Sequence, residues 1–140
     1  GALSKPQMGF FLDKIEKHVL EYIHPFVTEA WSPSNFDVQI WLNRYRKGQY
    51  QESHHHAGND ISFNYVMKLE NMDNKFVVVD YSKVSANATA YKCGIDFFQE
   101  RQEFELKTGD LILFPSWLNH YVTPSNKDGE RITISGNLNF

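Results

Sequence analysis

One stretch constrains this chain more than any other: the alternating run Arg131-Ile132-Thr133-Ile134-Ser135-Gly136-Asn137. Successive side chains on a strand point to opposite faces, so Arg131, Thr133 and Ser135 share one face and the isoleucines share the other. A polar row turned into a barrel costs free energy unless it binds something polar. The arginine comes eleven residues after His120. That histidine closes Gly109-Asp110-Leu111-Ile112-Leu113-Phe114-Pro115-Ser116-Trp117-Leu118-Asn119-His120, which reads as a turn, a short buried strand and a second turn presenting one imidazole. Upstream, His54-His55-His56 lies just before another strand. Histidines at two strand ends, with an arginine on a third strand, point to a metal site inside a β-barrel. The arginine is placed to hold an acidic co-substrate.

The chain of 140 residues is long enough for one domain, read as spanning 1–140, with one core. Fourteen basic against 17 acidic residues give a formal charge of −3, which argues against a nucleic-acid or membrane surface. Arg44, Arg46 and Lys47 remain as a local basic patch. The single cysteine, Cys93, excludes an internal disulfide and a cysteine-based zinc site, and an isolated cysteine is expected to be a small buried residue. No apolar run reaches the ~20 residues of a membrane span, and no signal peptide is recognisable. The expected compartment is the cytoplasm.

Phe10, Phe11, Ile15, Val19, Leu20, Tyr22 and Ile23 recur at helical spacing and stop before Pro25, which predicts a helix over 7–24 packed outside a sheet. After Ser34 the period changes to two. Phe36, Val38, Ile40 and Leu42 alternate with polar or amphipathic residues, and strands follow at Ile61–Leu69, Phe76–Tyr81, around Phe104–Leu106, at Leu111–Phe114, His120–Thr123 and Arg131–Leu138. Residues 82–99 are irregular and long enough for a functional lid. One helix followed by about eight short strands predicts a mainly β fold, a barrel or jelly roll.

His54 and His56, two apart on a strand, would share a face with backbones roughly 7 Å apart, and His55 would point the other way. A third ligand must come from a separate element, and His120 is the candidate. A His triplet alone also fits a plain polar loop; its combination with His120 and Arg131 favours a metal. Arg131 with Thr133 can hold a carboxylate, the guanidinium fork bonding both oxygens and the hydroxyl adding a contact.

These pieces carry a resemblance. Trp41-x-Asn43, Lys47-Gly48-x-Tyr50, His54-x-His56, Ile61-Ser62, the run from Gly109 to His120, Arg131-x-Thr133 and Asn137 resemble the 2-oxoglutarate/iron(II)-dependent oxygenases, in their small prolyl-4-hydroxylase-like branch. The resemblance covers about residues 40–140. It implies a double-stranded β-helix with the N-terminal helix outside, iron(II), 2-oxoglutarate, and ascorbate as a reductant. It also implies hydroxylation of a C–H bond in a peptide, protein or small-molecule substrate, with peptidyl proline the branch's example. Most such enzymes use two histidines and one carboxylate. Here His56 fills the carboxylate position, so the implied ligands are His54, His56 and His120, and the site is one unit more positive. Asp60 is an alternative oxygen ligand. A second alignment, with Ala57 or Gly58 at the carboxylate position, resembles the halogenating branch.

In this reading Arg131, helped by Thr133 or Ser135, binds the distal carboxylate of 2-oxoglutarate. Ser62, Asn64 and Val66 share a face and line the pocket, with Asn64 placed to orient the co-substrate. Two alternatives stay open. A cupin-type three-His enzyme would use the same ligands without 2-oxoglutarate, and a binding module would keep the barrel without turnover.

Overall fold

The computed structural model describes residues 37–83, 92–94 and 100–139, together with Asp13. Eight strands lie within them: β1 (Asp37–Tyr45), β2 (Gln51–His54), β3 (Ile61–Glu70), β4 (Phe76–Val79), β5 (Arg101–Phe104), β6 (Leu111–Pro115), β7 (Asn119–Val122) and β8 (Glu130–Asn139). They form two four-stranded sheets, ordered β1-β8-β3-β6 and β2-β7-β4-β5, with every pairing antiparallel. This is the jelly roll that the alternation predicted, in the form of the double-stranded β-helix that the resemblance implied. The predicted helix over 7–24 and most of the irregular segment 82–99 lie outside the described residues. Among the described residues, no helix is long and apolar enough to cross a membrane.

β8 lies in the interior of its sheet, between β1 and β3. Its polar row meets Tyr45, Asn43, Trp41 and Gln39 of β1, which pair with Arg131, Thr133, Ser135 and Asn137. On the other side Asn64 pairs with Ser135 and Ser62 with Asn137. Directly opposed residues share a face, so these side chains line the space between the sheets. Arg131, Thr133, Ser135 and Asn137 are all buried. The other face is buried as well at Ile40, Ile61, Phe63, Ile134 and Leu138.

Between the sheets, Tyr45, Met72, Phe76, Phe114 and Val122 form an apolar cluster, flanked by Leu69, Val78, Phe104, Leu106, Ile112 and Leu118. Burying a side chain of this kind contributes about 1.5–3 kcal/mol. The cluster therefore offsets part of the cost of a polar row that enters the same interior.

Two sequence expectations are corrected here. Cys93 is exposed, not a buried apolar filler. The basic patch is partly neutralised, because Arg44 pairs with Glu130 and Lys47 lies 3.6 Å from Asp128.

Gly136 has a steric role opposite Phe63. A Cβ there would lie 2.4 Å from the Phe63 ring and 2.5 Å from the Gln39 carbonyl oxygen, which is backbone and cannot swing away. Overpacking of this sort costs about 1–3 kcal/mol. Gly136→Ala should lower stability by that amount in urea denaturation. An unchanged midpoint would show that the strands can separate here without cost.

Candidate functional site

His54 and His120 face each other as a cross-strand pair between β2 and β7. Their ring centroids are 4.2 Å apart. β2 ends at His54, so His56 is not on the strand as the i, i+2 argument required. It is brought back by other means: its backbone N–H donates to the Ser116 carbonyl at 2.9 Å. Its ring lies 5.1 Å from that of His54 and 5.0 Å from that of His120. One nitrogen from each of the three imidazoles falls within 4.8 Å of the others. His55 is exposed and Asp60 is exposed. Among the described residues neither joins the cluster.

The hydrogen bonds decide which nitrogens are free. Nδ1 of His54 faces the Glu52 carbonyl oxygen at 2.7 Å, and Nδ1 of His120 faces that of Leu118 at 3.0 Å. A carbonyl only accepts, so both Nδ1 atoms carry the proton. Nδ1 of His56 meets the Asn137 side-chain oxygen, with Ser62 Oγ 3.1 Å away. All three rings thus hold Nδ1–H outward and leave Nε2 to converge, as metal-ligating histidines do.

Burial makes the imidazoles of His56 and His120 poor proton acceptors. His120 is pushed down to about 4, chiefly by desolvation, with the neighbouring His54, His56 and His55 adding to the effect against the Leu118 hydrogen bond. His56 is lowered too, first by burial and then by His54 and His55, while the bond to Asn137 works the other way. Neutral imidazole is the form that binds a metal.

A cleft of about 250 Å3, part of it open to solvent, is lined by the three histidines with Trp41, Gln51, Asn64, Phe76, Phe114 and Ser135. Ser62 and Val66, expected to line it, are fully buried and do not. Ser135 Oγ accepts from Asn43 Nδ2 at 2.9 Å and from Asn64 Nδ2 at 2.8 Å. Both its lone pairs are then used, which leaves its own O–H as a donor.

Arg131 and Thr133 sit deeper on the same polar row and do not line the cleft. Arg131 is fully buried. Its Nη1 donates to the Asn74 carbonyl at 3.4 Å, while Nε and Nη2 have no partner. Burial pulls the guanidinium below its usual value, and the nearby Tyr45 phenol opposes this. Thr133 Oγ1 accepts from Asn43 Nδ2 at 3.3 Å. Among the described residues the other buried side-chain atoms without a partner are the amide oxygens of Asn64 and Asn74. An unpaired buried donor costs about 1–3 kcal/mol, and more when charged. Two such nitrogens on one guanidinium leave charged donors free to take an anion.

The sequence reading gave no role to Asn43, Asn74, Tyr45, Ser116 or Gln51. Asn43 was visible as half of Trp41-x-Asn43. Asn74 acts through its backbone, which no residue pattern reports.

The comparisons agree with this geometry. The sequence profile described as "Putative 2OG-Fe(II) oxygenase" matches residues 39–137, so the chain belongs to this family of 2-oxoglutarate/iron(II) oxygenases. Among solved structures it is similar to an oxidoreductase of the 2OG-Fe(II) oxygenase family from Burkholderia pseudomallei. That match has a TM-score of 0.70 at 14% identity, over 99% of this chain and 61% of the other. It is also similar to a prolyl-4-hydroxylase from Pseudomonas putida, with a TM-score of 0.54 at 13% identity, over 90% of this chain and 61% of that one. The chain therefore spans about three fifths of the length of each. No curated protein matches the sequence.

The depressed His120 value sets a pH dependence. An unfolded histidine takes up its proton near 6.5, but folded His120 does so only near 4. Between these values the unfolded chain binds more protons, so stability falls as pH drops through that window, by up to roughly 3 kcal/mol. The metal-free protein should show this loss in denaturant midpoints, and His120→Gln should reduce it. Parallel pH profiles for the two proteins would refute the assignment.

Proposed function

We propose that this protein is an iron(II)- and 2-oxoglutarate-dependent oxygenase that couples decarboxylation of 2-oxoglutarate to hydroxylation of a C–H bond. His54, His56 and His120 would hold the metal through Nε2. Arg131, with Thr133 or Ser135, would anchor the distal carboxylate. The observation that carries this reading is the buried Arg131 with two unpartnered nitrogens, Nε and Nη2, on the same strand row as the residue that holds His56.

The residues fit the absent groups. Three neutral imidazoles suit iron(II), and also nickel and zinc. When bound, the iron supplies the activation of dioxygen. The chain's own part is to position and to exclude. Arg131 offers a carboxylate charge-assisted donors in a dry interior, where they act most strongly. The Ser135 hydroxyl offers a further donor from the cleft floor. Asn64, its amide oxygen unpartnered, stands beside it to orient the co-substrate. Trp41, Phe76 and Phe114 form apolar walls against water. Ascorbate would serve as an accessory reductant, and a peptidyl proline, the residue named for the Pseudomonas putida enzyme, is the first substrate to assay. A three-His enzyme without 2-oxoglutarate would use the cluster equally well but would leave Arg131 without its anion.

Succinate formation on adding iron(II) and 2-oxoglutarate tests the reaction. Mutations test the roles. His120→Ala should abolish metal binding and His55→Ala should leave it unchanged. Arg131→Met should cost roughly 10- to 150-fold in 2-oxoglutarate affinity, the equivalent of one charge-assisted hydrogen bond. Because the buried guanidinium is poorly paired, the same substitution should leave the ligand-free protein as stable as before, or more so. Arg131→Lys should fall between, keeping charge but losing the fork. Calorimetric titration with 2-oxoglutarate in the presence of metal, beside melting curves, measures both. Unchanged affinity in Arg131→Met would remove the anchor.

A further inference from the structure

The three histidines are not held alike. His54 and His120 each donate from Nδ1 to a carbonyl two residues earlier in their own segment, Glu52 and Leu118. Those acceptors are local and form with the strands themselves. His56 lies beyond the end of β2, and its Nδ1 acceptor is the side chain of Asn137, 81 residues away on β8. Here the acceptor is a replaceable side chain, with Ser62 Oγ 3.1 Å from the same nitrogen.

That side chain is itself fixed. Asn137 is buried. Its Oδ1 also accepts from Ser62 Oγ at 2.8 Å, and its Nδ2 reaches Gln39 Oε1 at 3.4 Å. Ser62 Oγ lies 2.8 Å from Ser116 Oγ, in the turn whose backbone carbonyl takes the His56 N–H. Ser62 and Ser116 are both fully buried. The hydroxyl bond to Oδ1 and the amide bond to Gln39 set the oxygen, not the nitrogen, against the imidazole. A turned amide would place an N–H donor against Nδ1, draw the ring proton to Nε2 and remove the ligand atom.

We propose that Asn137 is a positioning residue for the metal site, its side-chain oxygen holding His56 with Nδ1 protonated and Nε2 turned toward the ion, with Ser62 and Ser116 orienting the amide. The assignment rests on the three-His metal reading and deepens it. The acceptor is neutral, so the site remains three neutral ligands without a carboxylate in the shell behind His56. Asn137 touches no substrate; it acts through the imidazole.

Two variants and two readouts test this. Asn137→Leu keeps the size and removes the acceptor. Asn137→Asp keeps an acceptor oxygen and adds charge. The His56 tautomer is read in the metal-free protein at mildly alkaline pH from long-range 1H–15N correlations, and Co(II) affinity is read by absorbance titration. Wild type should show Nδ1–H at His56. Asn137→Leu should shift it to Nε2–H and weaken Co(II) binding by roughly 10- to 100-fold, the range for losing such an outer partner. Asn137→Asp should keep the Nδ1–H tautomer and bind Co(II) at least as tightly as wild type. If Asn137→Leu does not fold, Asn137→Asp decides alone: a retained Nδ1–H supports the proposal and Nε2–H overturns it. Equal Co(II) affinity in wild type and Asn137→Leu overturns this proposal while leaving the metal site intact. A wild-type protein that binds no Co(II) overturns the metal reading, and this proposal with it.

Discussion

Everything at this site depends on one strand that is buried on both faces yet polar on one of them. β8 carries Ile134 and Leu138 into one apolar layer and Arg131, Thr133, Ser135 and Asn137 into the space between the sheets. An interior polar row is stable only where each group finds a partner. The neighbouring strands supply most of them: Asn43 and Asn64 bond Ser135, and Ser62 and His56 meet Asn137. The pairing fails at Arg131. The same row thus bonds an imidazole of the histidine cluster at one end and carries an unsatisfied cation at the other.

Charge explains why the two ends belong together. Three imidazoles bring no negative charge to a divalent ion, and Arg131 adds a further positive charge in the same interior. In the proposed function a dianionic keto acid would complement both, with one carboxylate toward the histidines and the other toward Arg131. The low proton affinity of His120 belongs to the same balance, since a protonated imidazole would add charge where the fold can least accommodate it.

The strand alternation was legible because burial writes a period of two into the residues. Arg131, Thr133 and Ser135 do share the inward face, and β3, β6 and β8 lie close to where the pattern put them. Histidine convergence was legible only as chemistry. His56 reaches the cluster through Ser116 and Asn137, contacts 60 and 81 residues away in sequence, which no local spacing can report. Parity likewise placed Ser62 in the cleft, whereas it lies behind His56 as a hydrogen-bonding partner. The sequence pattern points to Arg131 as an anchor, but its depth below the cleft and its missing partners are properties of three-dimensional burial. Cys93 shows the limit of residue averages: a lone cysteine is usually buried, and this one is exposed.

The central claim is that a three-histidine metal site and the Arg131 anchor act on one molecule of 2-oxoglutarate. Its most direct test is an anaerobic titration of the iron(II)-loaded protein with 2-oxoglutarate, followed by visible charge-transfer absorbance. A saturable band is predicted, because the keto acid must reach the metal while its far carboxylate is held. Iron(II) that binds to the protein while 2-oxoglutarate produces no band, even at saturating concentration, would contradict the account.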